Sequence, residues 1–126
     1  MADDFRQLFE RIRAIFRRHE PKGVVLYDEP ERYYLGTREV RAKDGYRTWL
    51  CGVEVKKNYV SAHLIPVYAH PELLDGASEA LRKRMQGKSC FNFKKMDEEL
   101  VAELEALVDR GVARFEAEGK LAPRSA

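Results

Sequence analysis

The stretch from Gly45 to Pro66 constrains the fold most, because only one hairpin register sorts its residues into two consistent faces. It reads as two long strands joined by a tight turn at Lys57-Asn58, with Gly45 ahead of the first strand and Pro66 stopping the second. A two-residue loop sets Lys56 opposite Tyr59, Val55 opposite Val60, Val53 opposite Ala62 and Cys51 opposite Leu64. The other face then carries Tyr46, Thr48, Leu50, Gly52 and Glu54 with Ser61, His63 and Ile65, and Gly52 falls opposite His63. A slip of one residue would mix the two faces. One face is predicted to be core, and the other, polar and aromatic, is where function is expected.

The flanking segments read as elements that cover this hairpin. Phe5, Leu8, Phe9, Ile12, Ile15 and Phe16 recur every three or four residues over 3–19, which predicts a helix with one apolar stripe and a solvated basic face. Asp3 or Asp4 is expected to cap it, and Pro21 and Gly23 to end it. Val24 to Tyr27 predicts a short buried strand, and residues 32–41, whose alternation is weaker, a strand nearer an edge. Asp44-Gly45 is a hairpin turn. Pro71 to Gly76 reads as one helical turn, Ser78 as the cap of a short helix over 79–85, and 87–93 as a last strand. Asp97-Glu98-Glu99 opens the longest helix, with Leu100, Val101, Leu104, Leu107, Val108, Val112 and Phe115 on one face and Gly111 placed for close backbone approach. An ordered core over about 3–118 is expected, with 120–126 a frayed tail.

At 126 residues the chain suits a single domain with one core. Its 23 basic against 21 acidic residues give no electrostatic preference for nucleic acid or an anionic membrane, and neither partner is expected. Cys51 and Cys90 form no CxxC pair, so a reducing compartment is the simpler reading and both are expected to be small buried hydrophobes. With no signal peptide or membrane span in the sequence, a cytoplasmic location is expected.

The run Lys56-Lys57-Asn58-Tyr59-Val60-Ser61-Ala62-His63-Leu64-Ile65-Pro66, followed by helical connectors, Gly87-Lys88, a strand ending at Phe93 and a terminal helix, resembles the YdhG-like domains of bacteria over roughly residues 5–115. It departs from them where many members carry Tyr-Gly-Met-Pro and this chain has Tyr34-Leu35-Gly36-Thr37. The resemblance implies an α+β fold, an antiparallel sheet of about five strands (a meander plus a late short strand) covered by an N-terminal and a long C-terminal helix. Most members lack an assigned activity, and some are likened to frataxins and proposed as intracellular iron chaperones.

No motif in the chain names a reaction. Gln86-Gly87-Lys88-Ser89 imitates the end of a P-loop, but Arg82 stands where the leading glycine belongs and the order runs from helix into strand. The spacings of His63, His70 and Cys90 match no metal motif. Ser61, His63 and Glu54 share a predicted face, as a nucleophile, base and orienting acid would, yet no glycine-rich elbow or oxyanion motif accompanies them. The chain is therefore expected to be a small-ligand-binding or regulatory module rather than an enzyme, with no cofactor, and with Tyr46, Trp49, Glu54, Tyr59, Ser61, His63 and Lys88 as its site. Two alternatives stand beside it. One is iron binding on the acidic face of the last helix through Glu98, Glu105 and Asp109, and the other is a homodimer paired through an edge strand such as 32–41.

Overall fold

A computed structural model describes residues 2–121. The fold is α+β, with an antiparallel sheet in the order β1-β2-β3-β4-β6-β5 and long helices at both ends of the chain. The elements are α1 (Ala2–Arg17), β1 (Val24–Glu29), β2 (Arg32–Val40), β3 (Arg47–Val55), β4 (Val60–Leu64), α2 (Ile65–Ala69), α3 (Glu79–Arg82), β5 (Met85–Gln86), β6 (Cys90–Phe93) and α4 (Glu98–Ala117). The sheet has six strands rather than five, because the segment expected to end the short helix turns instead into β5.

The hairpin register holds throughout: Cys51 pairs with Leu64, Gly52 with His63, Val53 with Ala62, Glu54 with Ser61 and Val55 with Val60. The Lys56 N–H closes the turn on the Tyr59 carbonyl at 2.8 Å. The face assignment fails at two places: at Ile65, which begins α2 and packs against the core, and at Leu50. Leu35 pairs with Cys51 and the next residue, Gly36, with Trp49, so Leu50 is an extra residue in β3. Such a β-bulge turns two neighbouring side chains to the same side. Leu50, expected on the mixed face, therefore joins Cys51 in the core, and Trp49 moves to the mixed face.

A second irregularity inserts residues into β2 between Gly36 and Val40, which explains its weak alternation. Buried Thr37 organises it, its hydroxyl donating to the Thr48 carbonyl at 2.9 Å and accepting from the Glu39 N–H at 3.1 Å.

Three further expectations are corrected by topology. Residues 32–40 are an interior strand between β1 and β3, not an edge, so they offer no free ladder to a second copy. The edges are β1 and β5, and Val25 and Tyr27 of β1 are exposed, so Val24–Tyr27 is not a buried strand. Lys120 and Leu121 are packed rather than frayed: the Lys120 carbonyl accepts from Arg38 N–H at 2.9 Å and Leu121 lies in the core. The rest of that predicted tail, 122–126, lies outside the described residues. Asp3 and Asp4 lie inside α1, which begins at Ala2, so neither is its cap.

The buried apolar side chains of every helix belong to one cluster with Tyr33, Leu35, Cys51, Val53, Val60, Ala62, Leu64, Phe91 and Phe93 on one face of the sheet. α4 opens on Asp97, whose carboxylate accepts from the Leu100 N–H at 3.2 Å, and α3 on Ser78, which accepts from Leu81 N–H at 3.1 Å. Gly111 lets α4 meet α2, since a Cβ there would lie 2.9 Å from the Cβ of Pro66. Helices thus cover one side of the sheet and leave the other to its own side chains.

Candidate functional site

Alternation along β2, β3, β4 and β6 places Tyr34, Gly52, Glu54, Ser61, His63, Cys90 and Asn92 on the face that the helices leave bare. Gly52 is the hollow in this face. A methyl group at Gly52 would overlap the ring carbons of Tyr34, which lies across the glycine. Trp49, brought over by the bulge, packs tilted at 55° against Tyr34 with ring centroids 4.7 Å apart, Tyr27 meets it edge-on at 5.9 Å and His63 lies 6.1 Å away. This cluster leaves Tyr34 only 5% exposed although no helix lies over it.

Polar groups border the aromatic cluster. The Tyr34 hydroxyl donates to Glu54 at 2.7 Å, and Lys56 lies 3.3 Å from the same carboxylate. Burial pushes the Glu54 carboxyl up, but the hydrogen bonds from Tyr34 and Lys56 outweigh it and hold it below its ordinary value. Burial, helped by the Glu54 charge, pushes the Tyr34 phenol well up, so it stays a donor. On the other side, Cys90 Sγ lies 2.9 Å from His63 Nδ1, and His63 Nε2 lies 3.3 Å from Ser61 Oγ. Burial lowers the His63 pKa against the opposing pull of Glu54, so the ring is neutral at neutral pH. Burial raises the Cys90 thiol, partly offset by hydrogen bonds from Ser89 and Ser61.

Of the residues expected at the site, Trp49, Glu54, Ser61 and His63 are brought together on this face. Tyr46 is not: it precedes β3, is exposed, and packs under the Arg41 guanidinium at 4.9 Å. Tyr59 lines a groove with Asn58, Lys83, Arg84, Gln86, Asn92 and Lys94, which meets this face through Asn92. Lys88 lines another, with Val67, Tyr68, Pro71, Leu74 and Met85. Gly87, at φ 82°, turns β5 into β6, so the P-loop imitation is a strand-to-strand turn. Ser61, His63 and Glu54 share this face as expected, but Glu54 is engaged by Tyr34 and Lys56, so the three form no triad.

Sequence reasoning missed two members. Tyr34 was hidden by the irregularity of β2. Cys90, expected to be buried like Cys51, is partly exposed, and it reaches His63 because β6 pairs with β4 in a register that sets the two opposite each other. The alternation of Cys90 and Asn92 against Phe91 and Phe93 was the available signal; the pairing partner of β6 was not.

The acids of α4 lie elsewhere. Glu105 meets Arg18 at 2.6 Å and Arg11 at 3.8 Å, Glu98 meets Arg11 at 3.7 Å, and Asp109 meets Arg18 at 3.4 Å. The two helix faces expected to be solvated are thus ionic partners, and α1 supplies cations where the iron reading needs open carboxylates. Among the described residues no group of three or more His, Cys, Asp or Glu is gathered to hold a metal ion. No helix among them is long and apolar enough to cross a membrane. Comparison with family models, curated proteins and solved structures finds no match to this chain.

Proposed function

We propose that this chain is a small-ligand-binding module whose site is the helix-free face of the sheet, in keeping with its resemblance to YdhG-like domains. One observation carries the reading: Tyr34 lies over Gly52 between Trp49 and His63, on a face where no helix packs, with Glu54 and Ser61 at its border. The half-buried Trp49 ring with a few convergent polar groups nearby suits a planar ligand that carries both a donor and an acceptor. Glu54 accepts, and neutral His63 can donate or accept according to its tautomer.

Trp49 is the single tryptophan and so reports on this face alone. Titration of a panel of planar heteroaromatic and aromatic carbonyl compounds is expected to give saturable changes in its emission. Tyr34→Leu should abolish them, and Lys88→Ala, in a separate groove, should leave them unchanged. If compounds bind by calorimetry while Trp49 emission stays fixed, the site lies elsewhere.

A further inference from the structure

The two cysteines differ in every property that governs thiol chemistry. Cys51 is fully buried on the helix-covered face, with only apolar neighbours in its cluster. Cys90 is partly exposed on the other face, with a ring nitrogen 2.9 Å from its sulfur and a serine hydroxyl 3.3 Å from that ring's second nitrogen. The sheet fixes this row: His63 is paired with Cys90, and Ser61, two residues along β4, is paired with Asn92. Ser61 is itself 3% exposed, so its hydroxyl is held in place to orient the ring. A nucleophile touching a base, and the base touching an orienting group, is the arrangement that activates a thiol without a standing thiolate.

We propose that Cys90 is a nucleophilic thiol, with His63 as its base, that captures α,β-unsaturated carbonyl compounds by conjugate addition. The Sγ–H bond breaks as His63 Nδ1 takes the proton, and Sγ forms a bond to the β-carbon of the ligand. The displaced π electrons pass to the carbonyl oxygen as an enolate. The imidazolium then returns its proton to the α-carbon, leaving a neutral thioether, so no oxidant, reductant or leaving group is needed. Acyl transfer is a poorer fit. Of the donors near the sulfur, the Ser61 and Ser89 hydroxyls bond the thiol itself, Leu64 N–H is spent on the Ser89 carbonyl at 2.8 Å and Asn92 N–H on the Arg84 carbonyl at 2.7 Å, so none of these four is aimed at a tetrahedral oxyanion. In conjugate addition the charge develops on an oxygen remote from the sulfur.

This inference rests on the reading of the helix-free face as a ligand site only for the body of the ligand, which Trp49 would stack. The reacting pair stands apart from it. His63 is faced by Tyr34, by Cys90 and Ser61, and electrostatically by Glu54, which favours its protonation, and Lys56, which opposes it.

The test is the alkylation rate of the native protein with N-ethylmaleimide against pH, with the labelled cysteine located by peptide mass mapping. Cys90 is expected to react in the folded protein and Cys51 only after denaturation, with the rate falling as the imidazole protonates, well below the thiol's own titration. His63→Asn keeps a hydrogen-bond acceptor but no base, and should slow Cys90 by about 100-fold, the lower end of what a positioned base contributes, and remove the imidazole inflection. An unreactive native Cys90, or a wild-type rate that follows the thiol titration alone, would overturn the proposal, and the second readout does not depend on the variant folding. N-phenylmaleimide separates the two readings. If it reacts no faster than N-ethylmaleimide and leaves Trp49 emission unchanged, the ligand face fails while the pair stands. If it quenches Trp49 but His63→Asn does not slow it, the pair fails while the face stands.

Discussion

The two faces of the sheet are made from the same strands by single-residue alternation, yet they obey different rules. On the helix-covered face Cys51, Val53, Ala62, Phe91 and Phe93 are fully or almost fully buried in one cluster with the stripes of α1 and α4. On the other face burial comes from side chains lying on one another, Tyr34 over Gly52 and Trp49 against Tyr34, with Glu54, Ser61 and Cys90 each beside a titratable partner. The first arrangement stabilises the fold by removing apolar surface from water. The second leaves hydrogen-bonding capacity at the surface, which stability alone does not require. That difference is what supports the proposal of the bare face as the ligand site.

Truncation should break the comparison most visibly. Phe91→Ala, on the covered face, is expected to cost about 3–5 kcal/mol in urea denaturation, whereas Trp49→Ala, half-buried on the other face, should cost about 1 kcal/mol. Equal losses would show the bare face to be a second core. Gly52→Ala comes next, at about 1–3 kcal/mol, because the added methyl must push Tyr34 off its seat, and it should also shift Trp49 emission.

Smaller again is the pH response of the two lowered histidines, His63 on the bare face and His19, whose pKa burial depresses against Asp109. The unfolded chain protonates its histidines more readily than the folded one, so stability should fall as pH drops from neutral through 6.5, the ordinary imidazole value, and on toward the lowered folded values. His63→Asn should flatten that slope without abolishing it, and urea midpoints across this range check it. Glu54 acts in a separate and more acidic window: its depressed pKa contributes stability that is lost as pH falls below the ordinary carboxylate value. Least affected should be Arg18→Ala, which removes half-exposed ion pairs to Glu105 and Asp109 and should cost at most about 1 kcal/mol, less at high salt.

The covered face was largely legible in the sequence. Alternation and turn chemistry are local, so the register of Cys51 with Leu64 and Val55 with Val60, the stripe of α4 and its acidic opening at Asp97-Glu98-Glu99 could all be read before the fold was known. The bare face was legible only in part, because it depends on what no local pattern encodes. A one-residue bulge at Leu50 reversed the sides of Trp49 and Leu50. The long-range choice of β4 as partner for β6 brought Cys90 to His63, and the pairing of β1 with β2 made an interior strand of residues expected at an edge. Tyr59 was placed at the site as part of the hairpin and Lys88 as a neighbour of β6; Tyr59 lines a groove that touches the bare face at Asn92, and Lys88 lines a different one.

The most direct test of the bare face as the site is residue-resolved. Amide and side-chain chemical shifts should be followed while a compound from the fluorescence panel is titrated into the folded protein. Shifts are expected to gather on Tyr34, Trp49, Gly52, Glu54, Ser61, His63 and Cys90, with the covered face silent. Shifts gathered instead along Val67–Leu74 and Lys88, or along Lys83, Arg84 and Lys94, would contradict the account.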